Sequence, residues 1–165
     1  MLSGMPGVLL AGLPGTGKTT LGRALAARLG GHVLNKDVVR KAMFGPGRVA
    51  YSVEQDDLVQ EWMVEAARWI WDREPGAWVF FDGRAYSRAY QRERVGAEFT
   101  ILCRVRDEVA RERLGRPHEA ANRDWGLYER LRGSFEPVEK AHVVIDTEAP
   151  LEECVRRALD YLGIE

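Results

Sequence analysis

The sequence predicts an α/β fold, with a five-stranded, mostly parallel sheet covered by helices on both faces. Three observations carry this. Short apolar runs recur along the 165-residue chain, and segments with helical spacing separate them. The runs are near-continuously apolar rather than alternating, as strands buried on both faces are. Finally, 45% hydrophobic and 30% charged residues, with no internal repeat, low-complexity stretch or linker, fit one globular domain over residues 1–165.

The elements follow in order. Val8 to Ala11 is apolar and ended by Gly12, which reads as a buried strand. Lys18 to Leu29 is the first helix: Leu21, Ala24, Leu25 and Leu29 share a face, and Gly30-Gly31 ends it. His32 to Leu34 is a short second strand. Asp37 opens a short helix, "DVVRKAMF", broken by Gly45-Pro46-Gly47. Ser52 begins "SVEQ", a capping box, and predicts a long helix to about Asp72. Leu58, Trp62, Ala66 and Trp69 recur on one stripe, Trp62, Trp69 and Trp71 read as core on one side of the helix, and an aromatic substrate pocket is an alternative use of these tryptophans.

"AWVFFD" is the third strand, ending in an acid. "SRAYQRERV" reads as a polar helix, "EFTILCRV" as a strand and "DEVARERL" as a helix. A polar stretch, "GRPHEAANRDW", leads to a helix from Trp125 to Leu131, and "HVVID" is the last strand. Pro150 suits the first turn of the final helix. There Leu151, Cys154, Val155, Ala158, Leu159 and Leu162 repeat at i, i+3, i+4, i+7.

Charge and composition narrow the function classes. A formal net charge of −1 gives no general pull towards nucleic acid. Cys103 and Cys154 form no CxxC pair and read as buried thiols. His32, His118 and His142 have no ligand spacing. "MLSGMPG" has no basic residue, and the apolar run behind it is too short for a signal peptide or membrane span. The expectation is a cytoplasmic protein with no membrane association.

In parallel α/β sheets, ligands bind at the carboxyl ends of the strands. "GLPGTGKTT" follows the first strand there. Gly12, Gly17, Lys18 and Thr19 match G-x-x-x-x-G-K-[ST], with Pro14, Gly15, Thr16 and Thr20 completing the loop. Glycines let successive backbone N–H groups converge on phosphate oxygens at a helix N-terminus. Lys18 reaches the β- and γ-phosphates, and the Thr19 hydroxyl suits Mg2+. Motors, switches and kinases share this loop, so it does not fix function.

Three clusters choose among them. Asp82 at the end of the third strand can hold magnesium, and no glutamate beside it marks a water-activating hydrolase. "NKDVVR" places Asp37 and Arg40 three apart on one helical face, a proton acceptor beside a planar anion clamp. An N-cap aspartate with a surface arginine is the plainer alternative. "NKD" lacks the Asn-Lys-x-Asp spacing that reads guanine. The stretch "RVRDEVARERLGRPHEAANRD" holds Arg104, Arg106, Arg111, Arg113, Arg116 and Arg123, a lid region over residues 107–133 that can bring cations to a transition state. "GPGRVAYS" offers Arg48 and Tyr51 to an acceptor.

"GLPGTGKTT", "NKDVVRKAMFG", "WVFFDGRAYSRAYQRERV", "RERLGR" and "HVVIDT", in that order, make the chain resemble small P-loop kinases with ATP-binding domains of the AAA type. It is most similar to the kinase domain of the polynucleotide kinase family, and more distantly to adenylylsulfate kinases and chloramphenicol phosphotransferases. The resemblance implies a P-loop NTPase three-layer sandwich, with the Asp82 strand beside the phosphate-loop strand, and ATP and Mg2+ as cofactors. It implies Asp37 as general base, Arg40 on the acceptor, Arg113 and Arg116 as lid arginines, and Thr147 near the adenine. Relatives space the lid pair as Arg-Leu-x-x-Arg, one position wider than here.

The resulting expectation is a kinase that transfers the γ-phosphate to a hydroxyl of a small molecule, bound by Asp37, Arg40, Arg48 and Arg84. One alternative acceptor is a polynucleotide 5′-hydroxyl on a track of Arg40, Arg48, Arg84 and Arg88. Another reading is a nucleotide-dependent switch without transfer.

Overall fold

The structure is a computed structural model that describes residues 4–117 and 123–165. It runs β1 (Gly7–Ala11), α1 (Lys18–Leu29), β2 (His32–Asn35), α2 (Lys36–Phe44), α3 (Val53–Arg73), β3 (Val79–Asp82), α4 (Ala89–Val95), β4 (Phe99–Arg104), α5 (Asp107–Leu114), α6 (Trp125–Ser134), β5 (Val143–Asp146) and α7 (Leu151–Leu162). A single 3-10 turn, Pro46–Arg48, links α2 to α3.

The five strands form one parallel sheet in the order β2-β3-β1-β4-β5. The phosphate-loop strand is central. Leu9 of β1 is in register with Phe81 of β3, and Ala11 with Leu102 of β4. The chain first fills the sheet on the β3 side and then crosses to the β4 side. The carboxyl end of β1 therefore lies where the winding reverses, the place where such sheets open a crevice.

Alternate residues of β1 serve opposite cores. Val8 and Leu10 pack with Leu21 and Leu25 of α1 and Leu159 of α7. Leu9 and Ala11 pack with Val59, Met63, Ala67 and Trp71 of α3. Both faces being covered explains why β1 reads as one apolar run.

Several element ends differ from expectation. β2 extends to Asn35 and α2 starts at Lys36, because Asn35 caps the helix. The α6 helix continues to Ser134, and Pro150 caps α7 rather than entering its first turn. The inward stripe of α3 is also corrected. Val59, Met63, Ala67 and Trp71 are buried, whereas Leu58 is 38% and Trp69 58% exposed, and Ala66 is exposed. Two apolar series run along this helix, offset by one residue until their last members, Trp69 and Trp71, which are two apart. The sheet selects the one ending in Trp71, whose indole packs against Phe81 and donates to the Ala77 carbonyl at 2.8 Å. Trp62 packs on Phe44 and Trp69 lies beneath Arg73, so these three tryptophans have three separate surroundings.

Cys103 and Cys154 are buried free thiols. His118 lies outside the described residues, as does part of the 107–133 region. Among the described residues, no helix is long and apolar enough to cross a membrane.

Candidate active site

The loop after β1 needs its glycines for two distinct reasons. Gly12 has φ 138°, and a Cβ there would lie 2.5 Å from the Cys103 carbonyl oxygen of β4. Gly17 has φ 81° and caps α1 in the left-handed region. Lys18 opens α1 and turns back under the loop, 2% exposed. Its Nζ donates to the Gly12 and Leu13 carbonyls at 2.7 and 2.8 Å, and Thr16 Oγ1 also donates to Leu13 O. Pro14 is buried within the loop, and Thr20 is exposed at its mouth. Burial, and then the Arg123 charge, lower the Lys18 pKa to about 8. Phosphate oxygens would replace the two carbonyls as acceptors and restore the charge.

Because β3 lies beside β1, its terminal Asp82 meets the start of α1. Thr19 Oγ1 donates to Asp82 Oδ2 at 2.7 Å, and Asn35 Nδ2 donates to the same oxygen at 2.7 Å. Asp82 is 0% exposed, and its Oδ1 accepts no hydrogen bond among the described residues. A buried carboxylate oxygen left unpaired is costly. A hydroxyl and a carboxylate supply two oxygen ligands to a hard divalent cation, with phosphate and water providing the rest, as Mg2+ prefers. The residues therefore fit the ion.

Asn35 also caps α2: its Oδ1 accepts from the Asp37 and Val38 amides at 3.0 and 3.1 Å. One side chain thus fixes the first turn of α2, and Asp37 in it, relative to Asp82. Sequence reasoning missed this role. The available signal was asparagine at the position that precedes a helix.

Asp37 Oδ1 accepts from Arg40 Nη1 at 2.8 Å, and Arg84 Nε lies 3.7 Å from the same oxygen. Arg40 is not an open anion clamp. It is 1% exposed, and its Nη2 meets Asp56 Oδ1 at 2.5 Å. The reason is local: α2 packs on α3, so the inward end of the i, i+3 pair reaches an α3 acid before it reaches solvent. Arg84 instead lies 3.6 Å over the Tyr51 ring and lines the cavity beside Asp37.

The lid arginines separate. Arg113 Nη1 donates to Thr147 Oγ1 at 3.0 Å, and its Nη2 donates to Thr147 O at 2.8 Å. Thr147 Oγ1 in turn donates to Thr16 O at 2.7 Å. Arg113 and Thr147 therefore brace the outer side of the phosphate loop, near Gly15. Arg116 is exposed and paired with Glu112 at 2.6 Å. Arg48 is exposed in the 3-10 turn, and Arg88 faces Glu136 at 3.8 Å. With Arg40 buried as well, the track Arg40, Arg48, Arg84, Arg88 is not a continuous surface.

Arg123, one of the cluster but not singled out by its spacing, lies where it counts. It lines both a cavity of about 150 Å³ with Gly15, Gly17, Thr20 and Arg113 and one of about 290 Å³ with Asn35, Asp37 and Arg84. Burial lowers its pKa, against the raising pull of Asp37 and Asp82. Among the described residues, Thr19 is the other one the two cavities share. Beyond Arg84 a third cavity of about 470 Å³ is lined by Tyr51, Asp56, Tyr86 and Gln91, among others.

The sequence pattern of the AAA domain family matches residues 8–159. No curated protein matches. Solved structures similar to the chain include an unliganded sugar kinase of Janibacter sp. HTCC2649, 19% identical, with TM-score 0.74, covering 97% of this chain and 95% of that one. A gluconokinase of Sinorhizobium meliloti 1021 is 18% identical, with TM-score 0.69, covering 96% and 93%. An APS kinase of Mycobacterium tuberculosis, in complex with AMPPNP and APS, is 15% identical, with TM-score 0.69, covering 96% and 98%. These likenesses establish the fold.

Proposed function

The chain belongs to the AAA domain family, and from that premise we propose that it is an ATP- and Mg2+-dependent kinase acting on a small-molecule hydroxyl. One observation carries the reading. The phosphate-loop cavity and the cavity of Asp37 adjoin at Thr19 and Arg123, so a donor and an acceptor can meet with a carboxylate on the acceptor side. The similar solved sugar kinase and gluconokinase support a small acceptor.

In this reading Lys18 and the loop amides hold the β- and γ-phosphates, with Arg113 and Thr147 bracing the loop from outside. Thr19 and Asp82 hold Mg2+, which supplies charge neutralisation at the phosphates. Arg123 stands at the junction, where charge spreads over the transferred group, and Arg116 comes to it only if the lid moves. The acceptor oxygen attacks in line. Its proton passes to Asp37, the new O–P bond forms, and the bond from the γ-phosphorus to the β–γ bridging oxygen breaks, releasing ADP. Arg84 on its Tyr51 platform positions the acceptor.

A switch without transfer needs no acceptor cavity and no carboxylate in it. Asp37→Asn is the test. Turnover of labelled ATP onto an acceptor is expected to fall at least about 100-fold, the scale of lost general-base catalysis, with ATP affinity nearly unchanged. The acceptor comes from a screen of sugars, sugar acids, nucleosides, antibiotics and oligonucleotides. Unchanged transfer by the variant would falsify Asp37 as the base.

A further inference from the structure

We infer that Asp56, on α3, is a positioning residue for the proposed base, acting through Arg40; this rests on Asp37 accepting the proton. The guanidinium of Arg40 spans two carboxylates, with Nη1 on Asp37 Oδ1 at 2.8 Å and Nη2 on Asp56 Oδ1 at 2.5 Å. Arg40 is 1% exposed. A buried guanidinium keeps one orientation only if its partners are themselves fixed. Asp37 has a further charged neighbour outside α2, Arg84, whose Nε lies 3.7 Å from the same Oδ1.

Asp56 is held from two neighbouring elements, α2 and α4. Its Oδ2 accepts from Lys36 Nζ of α2 at 2.9 Å and from Gln91 Nε2 of α4 at 3.0 Å. Gln60, one turn further along α3, accepts from the same Lys36 and donates to the Gln91 carbonyl at 2.7 Å. Lys36 alone already ties α2 to α3 through Asp56. The second contact, to Arg40, adds nothing to that tie that a single bridge lacks. What it adds is direction, because it holds the fork of Arg40 so that the other tine meets Asp37 Oδ1. With Oδ1 of Asp37 taken by Arg40, the proposal assigns Oδ2 to the acceptor's proton.

A simple staple between helices predicts something different. It needs charge, not a planar fork, and its loss should affect folding and every ligand alike. A positioning bridge needs both tines, and its loss should appear in turnover alone.

The probe is labelled ATP with Mg2+, its phosphate followed to water and to the acceptor from the screen. Asp56→Asn is expected to lower kcat by about 10- to 100-fold, the effect of an angstrom-scale misplacement of a catalytic group. KM for ATP is expected to stay within about twofold. Arg40→Lys, which keeps a charge but cannot span two carboxylates, is expected to lose as much as Asp56→Asn. Asp56→Glu is expected to recover much of the loss. The double variant Asp37→Asn/Asp56→Asn is expected to be no slower than Asp37→Asn.

Wild-type turnover in Asp56→Asn or Arg40→Lys overturns the inference. So does a loss that tracks the melting temperature and the ATP KM together, or a double variant whose losses multiply. If Asp37→Asn turns over normally, the base assignment fails first. If only Asp56→Asn does, the base stands and the bridge does not.

Discussion

Lys18 shows how a single side chain carries both structure and chemistry. Folding places its ammonium in a loop of carbonyls, where burial holds its pKa near 8. Above that pH the ligand-free protein holds it mostly neutral. Bound phosphate favours the charged form, so ATP binding takes up a proton. Calorimetry at pH 9 in buffers of different ionisation enthalpy should find proton uptake, with affinity falling by up to about tenfold per pH unit above 8. Uptake should vanish in Lys18→Met. At the same scale, the phosphate loop was fully legible because its residues are consecutive. Asn35 and Arg123 were not, since each acts on groups that the fold brings from other elements.

At the scale of the element, the sequence determines that α3 is amphipathic and where it starts. Ser52 caps it as expected, accepting from the Gln55 amide. It does not determine which of two overlapping stripes faces inward. The sheet chooses Trp71, 2% exposed, over Trp69. Trp71→Ala is expected to cost about 3–5 kcal/mol in denaturant unfolding, the range for emptying a buried aromatic site. Trp69→Ala is expected to stay within about 0.5 kcal/mol. Reversed costs would place the helix in the other rotation. The same element makes Arg40 an internal group, for α3 supplies the acid that captures it.

For the whole molecule, a formal net charge of −1 and a broken arginine track bear on the acceptor. A polynucleotide acceptor would give a binding constant that falls steeply with salt, with a slope of about 0.7 per phosphate contacted on a single strand. Titration of a short single-stranded oligonucleotide against salt is expected to show weak binding with a shallow slope. A steep slope would favour the 5′-hydroxyl reading instead. Gly22→Ala would test how tightly the layers close, since an added Cβ would lie 2.4 Å from Leu10 Cδ1. Overpacking of this kind is expected to destabilise by about 1–3 kcal/mol on unfolding.

The sequence by itself determined the parallel α/β class, the phosphate loop, the acid ending the third strand and the Asp37-Arg40 spacing. These are local properties: periodicity within one element, or residue types at fixed offsets in one loop. Only the tertiary structure decided that Thr19 and Asn35 share an oxygen of Asp82, that Arg113 turns back to Thr147 and that Arg123 joins two cavities. It also decided that Arg40 lies buried between two carboxylates rather than open as an anion clamp. Spacing along a chain says which groups share a face. Which charge they meet depends on the element packed against that face, and that is set by burial across the whole sheet.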